Sequence, residues 1–377
     1  MWRVQLCGGD VLFWPSPSAL PFQGGVSEWP AYIGTIFHRY CITDLVLLGD
    51  WRPMHREAVL IAQSLGITVW VYEEGYVRPG YVTLENNGVN ARSHLSKDPA
   101  EIEAKAKQYP KRIPPSTAPN PIEGRVLDTI WHHVGNFFLW PFFFRYKTHR
   151  PYCIGRELFG LIPRYVSRVR RRKESLARFR ALLRQNNPVY FFPLQLDSDS
   201  QIRIHSPYSG ILDLLGQVIV NFATYAPKTS VLLIKNHPLD NGLLPYARFV
   251  ASLGKALGIE ERLVFVESVN NALILDRCKA VVLCNSTLGL TALQRGKALY
   301  CLGQSIYVMP GLAVDANTMP LADFWNNPIP PNPTLVKDFI TVLTHDALVP
   351  GNFYSKQGIA CAIDASLHRM GIFTEEV

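Results

Sequence analysis

Short apolar runs alternate with longer amphipathic runs from Pro188 to Gly303, and this alternation restricts the fold. Runs such as VYFFPLQL, SVLLIKNHP, RLVFVE, AVVLCNST and ALYCLG have the length and composition of buried strands. The stretches between them, such as YSGILDLLGQVIVNFATYA and YARFVASLGKALG, repeat apolar residues at helical spacing. Regular alternation of strand and helix predicts an α/β fold with a parallel sheet.

A shorter alternation of the same kind lies upstream. DLVLLGD (44–50) and TVWVYEEG (68–75) predict two strands with a helix between them, which is a βαβ unit. We therefore predict two Rossmann-like domains facing across a cleft. The predicted boundaries are 1–150 for the N-terminal domain, 151–186 for a basic and aromatic linker, 187–345 for the C-terminal domain and 346–377 for a tail that packs back.

Polar residues follow the predicted strands at their carboxyl ends, where open parallel sheets bind ligands. They are Asp50 and Arg52, Glu73 and Glu74, Asp197 and Asp199, Lys235 to His237, and Asn285 to Thr287. NSTLG (285–289) and KNHP (235–238) each suit a phosphate, through helix N–H groups, hydroxyls and basic side chains. Each alone is equally well explained by an ordinary helix cap or turn. Two such sites in one domain indicate a nucleotide pocket.

The acidic strand ends leave more than one interpretation. EEGYVRP (73–79) offers a carboxylate for acid/base chemistry, or only a solvated Arg–Glu pair. DSDS (197–200) can hold Mg²⁺, carry out chemistry on a substrate, or only end a strand. Because Lys235 and His237 already supply positive charge, a catalytic aspartate is favoured over a metal ligand, and no metal is predicted.

The basic charge of the chain is local. The segment from Arg164 to Arg184 contains eight arginines and Lys173 but only one acid, Glu174. Its net charge is therefore +8, the same as the net charge of the whole chain. This argues against a nucleic-acid groove. Together with the aromatic segment VGNFFLWPFFFRY (134–146), the basic segment predicts a membrane-interface patch on anionic lipid, with a polyanion site as the alternative. Val166, Val169, Leu176, Phe179 and Leu183 are predicted to share one apolar helix face.

The seven cysteines are widely spaced and form no C-x-x-C motif, so neither a zinc site nor a disulfide framework is predicted. Free cysteines of this kind predict a reducing compartment. No apolar run reaches the ~18 residues of a membrane span, and the N-terminus has no signal-type segment. A cytoplasmic protein is expected.

Five motifs occur in a fixed order between Gly49 and Gly303: GDWRPMHREA, EEGYVRPGYVTLENNGVNARS, DSDSQIRIHSPY, LLIKNHPLDNG and CNSTLGLTALQRGKALYCLG. Together they resemble the capsule polysaccharide synthesis and export family of Gram-negative bacteria, in its KpsS/LipB type. The resemblance implies a GT-B glycosyltransferase that uses CMP-Kdo, where Kdo is an eight-carbon acidic sugar, and retains the β configuration. The implied acceptor is phosphatidylglycerol or its lyso form, which receives the first Kdo of the capsule's lipid-linked primer.

The resemblance also assigns residues. Asp199 matches the essential aspartate before S-Q-I-R, and we expect it to be the nucleophile, with Asp197 as the fallback. The donor-binding residues are expected to be Lys235, His237, Pro238, Asn285, Ser286, Thr287, Gln201 and Arg203. Glu74 is the expected base for the acceptor and Glu73 the second candidate; Asp50, Arg52, Gly75 and Arg78 are expected at the acceptor and sugar. Arg78, Arg203 or Arg52 is expected to pair with the Kdo carboxylate.

The implied protein needs no cofactor and no metal. Its expected partners are CMP-Kdo, (lyso)phosphatidylglycerol, the inner-membrane surface and the capsule synthesis and export machinery, with no nucleic acid. Family members usually have a further β-α unit before the segment that is Gly8–Asp10 here, so a shortened N-terminal domain is expected. The alternatives are a non-catalytic export partner that binds nucleotide-sugar or lipid, and a GT-B enzyme with a polyol-phosphate or lipid A-type acceptor.

Overall fold

The computed structural model describes residues 1–110, 122–148, 160, 163–164, 166–197 and 206–372, with side chains omitted for 122–126. The chain forms two compact units. The first contains Met1–His94, Lys111–His149 and Leu343–Val377, and the second contains Leu95–Pro110 and Arg150–Val342. The segment predicted as a C-terminal tail therefore belongs to the first unit, whereas residues 95–110 belong to the second.

The first unit is a mixed sheet with helices. Its elements are β1 (Arg3–Gln5), α1 (Gly8–Phe13), β2 (Ala19–Pro21), α2 (Trp29–Arg39), β3 (Asp44–Leu48), α3 (Pro53–Ser64), β4 (Thr68–Glu74), β5 (Tyr81–Asn86), α5 (Ile122–Phe138), β12 (Leu348–Pro350) and α13 (Lys356–Arg369). β3 and β4 are parallel, as predicted. β5 and β12 extend the sheet in antiparallel pairs, in the order β12-β5-β4-β3. β1 and β2 form a separate parallel pair.

The second unit contains a six-stranded parallel sheet. Its elements are α4 (Pro99–Gln108), α6 (Arg168–Leu183), β6 (Val189–Pro193), α7 (Ile211–Tyr225), β7 (Val231–Lys235), α8 (Tyr246–Leu257), β8 (Leu263–Val266), α9 (Asn271–Arg277), β9 (Ala280–Leu283), α10 (Leu288–Gln294), β10 (Ala298–Cys301), β11 (Val314–Asp315) and α11 (Leu321–Phe324); α12 (Pro333–Asp346) leads into the first unit. Every residue of β6, β7, β9 and β10 is buried, as strands covered on both faces require. The predicted strands and helices from 189 to 301 are confirmed, and so is the α/β class.

The strand order in the second unit is β11-β10-β9-β6-β7-β8. Numbered from β6, this is the doubly wound order 3-2-1-4-5-6 of dinucleotide-binding folds. The order reverses between β6 and β9, and the crevice at their carboxyl ends is the favoured ligand position in such sheets. The sheet topology thus selects one pair of strand ends for closer inspection.

The basic helix α6 packs on β8 with a face that differs from the predicted one. Ser175, Phe179 and Leu182 are buried. Val166 and Val169, predicted to share the apolar face, are 79% and 68% exposed. That prediction is wrong because polar contacts orient this helix: the Ser175 hydroxyl accepts from the Glu267 N–H (2.9 Å), which anchors α6 beside the end of β8.

Candidate functional site

Two amide side chains join the strand ends at the switch point. Gln195, two residues after β6, donates through Nε2 to Asn285 Oδ1 (3.1 Å) and accepts through Oε1 from the Asn285 N–H (3.3 Å). Gln195 is buried, so this paired contact is sheltered from water. It fixes the start of the Asn285–Thr287 turn against the neighbouring strand.

Tyr307 also stabilises the Asn285–Thr287 turn. Its hydroxyl donates to the Ser286 carbonyl (2.7 Å), and the side chain is buried. Within the turn, the Ser286 hydroxyl accepts from the Leu288 N–H (3.3 Å) and Thr287 is the N-cap of α10. The turn is therefore held rigidly from two sides, which suits a site that must present donors at fixed positions.

Lys235 ends β7 on the other side of β6. Its ammonium donates to Asn271 Oδ1 at the start of α9, and its side chain is buried. Burial lowers the pKa of Lys235 to about 8. β7 and β9 are both hydrogen-bonded to β6, so their ends are two strand spacings, about 10 Å, apart. Lys235 and Asn285 thus flank the end of β6.

The turn after Lys235 orients His237. Asn236 accepts through Oδ1 from the His237 N–H (2.8 Å) and donates through Nδ2 to Asp240 (3.0 Å). His237 Nδ1 lies 3.1 Å from the Leu239 N–H and accepts from it, with Pro238 between the two. This contact places the proton of a neutral imidazole on Nε2, which makes Nε2 a hydrogen-bond donor.

Arginines of the basic segment hold this turn and the end of β8. Arg164 pairs with Asp240 (2.7 Å) and Glu267 (3.2 Å), and Arg171 pairs with Glu267 (3.4 Å). Arg178 donates to the Phe265 carbonyl (3.1 Å). Three of the eight arginines between 164 and 184 thus stabilise the strand ends, so only part of this positive charge remains for a surface patch.

Of the two aspartates of DSDS, the structure describes only Asp197. Asp197 lies at the start of α7: its Oδ1 accepts from the Ile211 N–H, at 3.4 Å. This is a helix-capping contact, which satisfies an otherwise unpaired N–H group. Asp199, Gln201 and Arg203 lie outside the described residues.

In the first unit, Glu73 and Glu74 point to opposite faces of β4. Glu73 Oε1 accepts from the Glu74 N–H (3.0 Å), and its carboxylate lies over Gly49 at the end of β3. Glu74 accepts from the Tyr354 hydroxyl and faces Arg78 at 3.8 Å. A cavity of about 20 Å³, enough for one water, lies between Glu74 and the segment after β12. Glu73 is the carboxylate on the side of the neighbouring parallel strand.

Gly75 and Arg78 form a tight turn after these acids. Arg78 Nε donates to the Gly75 carbonyl (2.8 Å). A Cβ at position 75 would lie 2.1 Å from the Tyr81 carbonyl oxygen, so only glycine fits here. The turn thereby holds the Arg78 guanidinium close to Glu74.

Asp50 and Arg52 follow β3. Asp50 is only 2% exposed, and its nearest cation is Arg92, at 3.9 Å. Burial raises the pKa of Asp50, although Arg92 opposes this. Arg52 is exposed at the N-cap of α3. The burial of Asp50 favours a supporting role over direct contact with an acceptor.

The aromatic segment is exposed on the first unit. α5 packs against α1, and its last two residues, Phe137 and Phe138, are 77% and 72% exposed. Trp140, Phe142 and Phe144 are exposed as well. No helix within the described part of the chain has the length and apolarity needed to cross a membrane. The segment is thus a short apolar surface, defined here as the aromatic patch: Phe137, Phe138, Trp140, Phe142 and Phe144.

Several supporting residues escaped the sequence analysis. Gln195 is an ordinary glutamine after a strand, and only the strand order brings it beside Asn285. Tyr354 reaches Glu74 from the far end of the chain. Arg92 lies within the motif ENNGVNARS, but the spacing gives no sign of its partner Asp50.

Comparison with known proteins gives these strand ends a context. A family model described as capsule polysaccharide biosynthesis protein matches residues 43–354. The chain belongs to this family. The predicted resemblance to its KpsS/LipB type is confirmed.

The similarity extends over most of the chain. It is 31% identical to the capsule polysaccharide export protein KpsS of Escherichia coli, over 89% of this chain and 86% of that protein. It is also 31% identical to the capsule polysaccharide modification protein LipB of Neisseria meningitidis serogroup A, over 92% of this chain and 84% of LipB. Among solved structures, Thermosulfurimonas dismutans KpsC, a beta Kdo 2,7 transferase, aligns with 88% of this chain and 84% of its own at 17% identity and a TM-score of 0.41.

Lys235 should show a conflict between stability and binding. At pH 7 its ammonium is charged in both the folded and the unfolded chain, so the full cost of burying it is present. Between about pH 8 and the ordinary value of 10.5 the folded chain loses the proton first, so stability rises with pH. We expect Lys235→Met to unfold at a higher temperature than wild type at pH 7, with the gap closing toward pH 10, and to bind CMP more weakly.

Thermal unfolding between pH 7 and 10, with and without CMP, measures both effects. Lys255→Met, at a solvent-facing lysine of α8 in the same unit, is the matched control and should show no such closing gap. A Lys235→Met protein less stable than wild type at pH 7 would mean that the Asn271 contact outweighs the cost of burial.

Proposed function

We propose that the protein is a retaining β-Kdo glycosyltransferase that transfers Kdo from CMP-Kdo to phosphatidylglycerol or its lyso form. The observation that carries the proposal is the rigid turn at the switch point of the second unit, flanked by Lys235 and His237, in a chain of the capsule biosynthesis family. Two separate α/β units agree with a GT-B enzyme. The product would start the lipid-linked primer of the capsule.

The donor is proposed to bind at the carboxyl edge of the second sheet. CMP-Kdo has a single phosphate, and His237 Nε2 together with the Ser286–Thr287 turn would donate to its oxygens. These donors stabilise the charge that develops on CMP as it leaves. Lys235 adds positive charge beside them. This arrangement needs no metal for the transfer step.

The chemistry is proposed to be a double displacement. The Asp199 carboxylate attacks the anomeric carbon of Kdo while the bond from that carbon to the phosphate oxygen breaks and CMP departs. The acceptor hydroxyl then attacks the same carbon, releasing Asp199 and giving its proton to a base. Two inversions give net retention, as in retaining glycosidases.

The acceptor base is proposed to come from the first unit, and the contacts favour Glu73 over Glu74. Glu74 is tied to the Tyr354 hydroxyl and faces Arg78. These two contacts engage both carboxylate oxygens of Glu74, where the acceptor hydroxyl would have to bind. The Glu73 carboxylate instead lies close to Gly49, the residue that follows β3. Arg52, Arg78 and Arg203 remain the candidates for the Kdo carboxylate.

The test is a transfer assay with isolated components. CMP-Kdo is prepared beforehand, Mg²⁺ is removed with EDTA, and a fluorescent lysophosphatidylglycerol is the acceptor. We expect wild type to produce a Kdo-extended lipid. Glu73→Gln should lower the rate of transfer at least about tenfold relative to wild type, and Glu74→Gln should lower it less. Binding of CMP without any transfer would instead indicate a non-catalytic partner of the export machinery, and product only with another acceptor would correct the substrate.

The aromatic patch and the remaining exposed arginines are proposed to bring the enzyme to the cytoplasmic face of the inner membrane. Exposed aromatic side chains suit the headgroup region, and arginines attract anionic lipid. We expect Phe137→Ser with Phe138→Ser to weaken binding to phosphatidylglycerol vesicles in sedimentation. Transfer to a detergent-dispersed acceptor should be unchanged. Equal vesicle binding by this variant and wild type would remove the patch from the proposal.

A further inference from the structure

Three side chains with metal-ligating atoms meet in the first unit, at residues that the proposed transfer does not use. The Cys7 thiol, an Asp10 carboxylate oxygen and an imidazole nitrogen of His132 all lie within 4.8 Å of one another. Cys7 is the N-cap of α1 and Asp10 lies in its first turn, whereas His132 lies on α5. The sequence predicted no zinc site because it has no C-x-x-C motif, and His132 lies far along the chain from Cys7 and Asp10.

The helices are shaped so that the imidazole can approach. A Cβ at Gly9 would lie 2.1 Å from His132 Nδ1, and a Cβ at Gly8 would lie 2.2 Å from the Gly135 carbonyl oxygen. Glycines at both positions therefore let α1 and α5 come close enough to bring His132 to Cys7 and Asp10. The Gly9 N–H donates to Asn136 Oδ1 (2.8 Å), which fixes the register of the two helices.

The Asp10 carboxylate has an outer hydrogen-bond partner of the kind that orients a metal ligand. Asp10 Oδ2 accepts from the Leu6 N–H at 2.9 Å, which holds the carboxylate on the side of the thiol. The Cys7 side chain is buried beside the carboxylate and the imidazole. Binding of a cation by the thiolate would release the thiol proton to solvent.

We propose that Cys7, Asp10 and His132 form a binding site for a borderline-soft divalent cation of the zinc class. One sulfur, one nitrogen and one oxygen ligand are a donor set that Zn²⁺ accepts in tetrahedral geometry. Zinc–ligand bonds of about 2.0–2.3 Å place tetrahedral ligands roughly 3.3–3.7 Å apart. Ligand atoms that lie within 4.8 Å of one another reach this separation with small side-chain shifts. Three protein ligands leave the fourth position to water. The cation would tie α5, which leads into the aromatic patch, to α1.

The full-length protein, freed of metal with a chelator, is titrated with Co²⁺ as the spectroscopic probe. We expect thiolate-to-cobalt charge-transfer absorption in the near ultraviolet, with tetrahedral bands in the visible, both bleached by Zn²⁺. Cys7→Ser should lose the charge-transfer absorption. His132→Ala and Gly9→Ala should weaken Co²⁺ binding by about tenfold or more, the second without removing any ligand.

Matched controls separate the site from other thiols and imidazoles. His133→Ala, on the next residue of α5, and Cys361→Ser, at an exposed thiol, should bind Co²⁺ as wild type does. Circular dichroism verifies the fold of each variant. The Co²⁺ absorption spectrum of wild type still tests the site even if Cys7→Ser unfolds. Folded wild type without the charge-transfer absorption, or with absorption that depends on Cys361, would overturn the proposal. Neither result depends on whether the protein transfers Kdo.

Discussion

Replacement of Asp199 by Asn should abolish Kdo transfer, with a loss of at least about 10³-fold in rate. Asn preserves the size of the side chain but cannot form the ester to the anomeric carbon, so the first displacement fails. CMP should still protect the variant against thermal unfolding, because the proposed phosphate contacts come from His237 and the Ser286–Thr287 turn. The measurement is the transfer assay, combined with intact-mass analysis after incubation with CMP-Kdo alone.

Asp197→Asn is the matched control, two residues away in the same segment. The Asp197 carboxylate accepts from the Ile211 N–H at the start of α7, and the amide oxygen of Asn can accept the same bond, so the replacement should change stability little. It should leave transfer and the covalent Kdo adduct in place. An adduct that survives in Asp199→Asn but disappears in Asp197→Asn would exchange the two roles.

The buried strands could be predicted from the sequence because their pattern is local. VYFFPLQL and AVVLCNST are continuous apolar runs, and a strand buried on both faces requires such runs. The polar residues after them were predictable for the same reason, since a strand end is visible where the apolar run stops. Lys235, His237 and Asn285 were found in this way.

Contacts between distant segments could not be predicted. The pairing of Gln195 with Asn285 depends on β6 lying beside β9, which no local pattern reveals. The contact between Tyr354 and Glu74 depends on β12 joining the first sheet beside β5. Such pairings follow from the tertiary fold, and they are the contacts on which the proposed choice between Glu73 and Glu74 rests.

The basic helix shows how a correct composition can mislead. Its arginines suggested a charged outer face opposite an apolar stripe. Arg171 and Arg178 instead reach the strand ends through an ion pair and a backbone carbonyl, and Ser175 lies in the buried face. Arginine side chains can satisfy carbonyls and carboxylates at a sheet edge, so a helix that packs there need not bury its most apolar stripe.

His237→Ala should lower the rate of transfer by about 10²–10³-fold, the usual cost of losing one donor to a developing negative charge. His237 Nδ1 accepts a hydrogen bond from the Leu239 N–H, so the proton of the neutral ring is on Nε2. The Nε2–H group of His237 is the proposed donor to the phosphate of the departing CMP. The loss should fall mainly on the rate at saturating CMP-Kdo, because the donor acts most strongly as charge builds up on the leaving group. CMP affinity should change less.

Two further substitutions at position 237 test which nitrogen matters. Gln can place an amide N–H near the position of Nε2, whereas Asn reaches only the position of Nδ1. We therefore expect His237→Gln to retain more activity than His237→Asn, although Asn can better replace the contact to the Leu239 N–H. The opposite order would mean that His237 acts by holding the turn that Asn236, Asp240 and Arg164 also stabilise. Thermal unfolding distinguishes the cases, since a structural role predicts a loss of stability parallel to the loss of rate and a donor role predicts none.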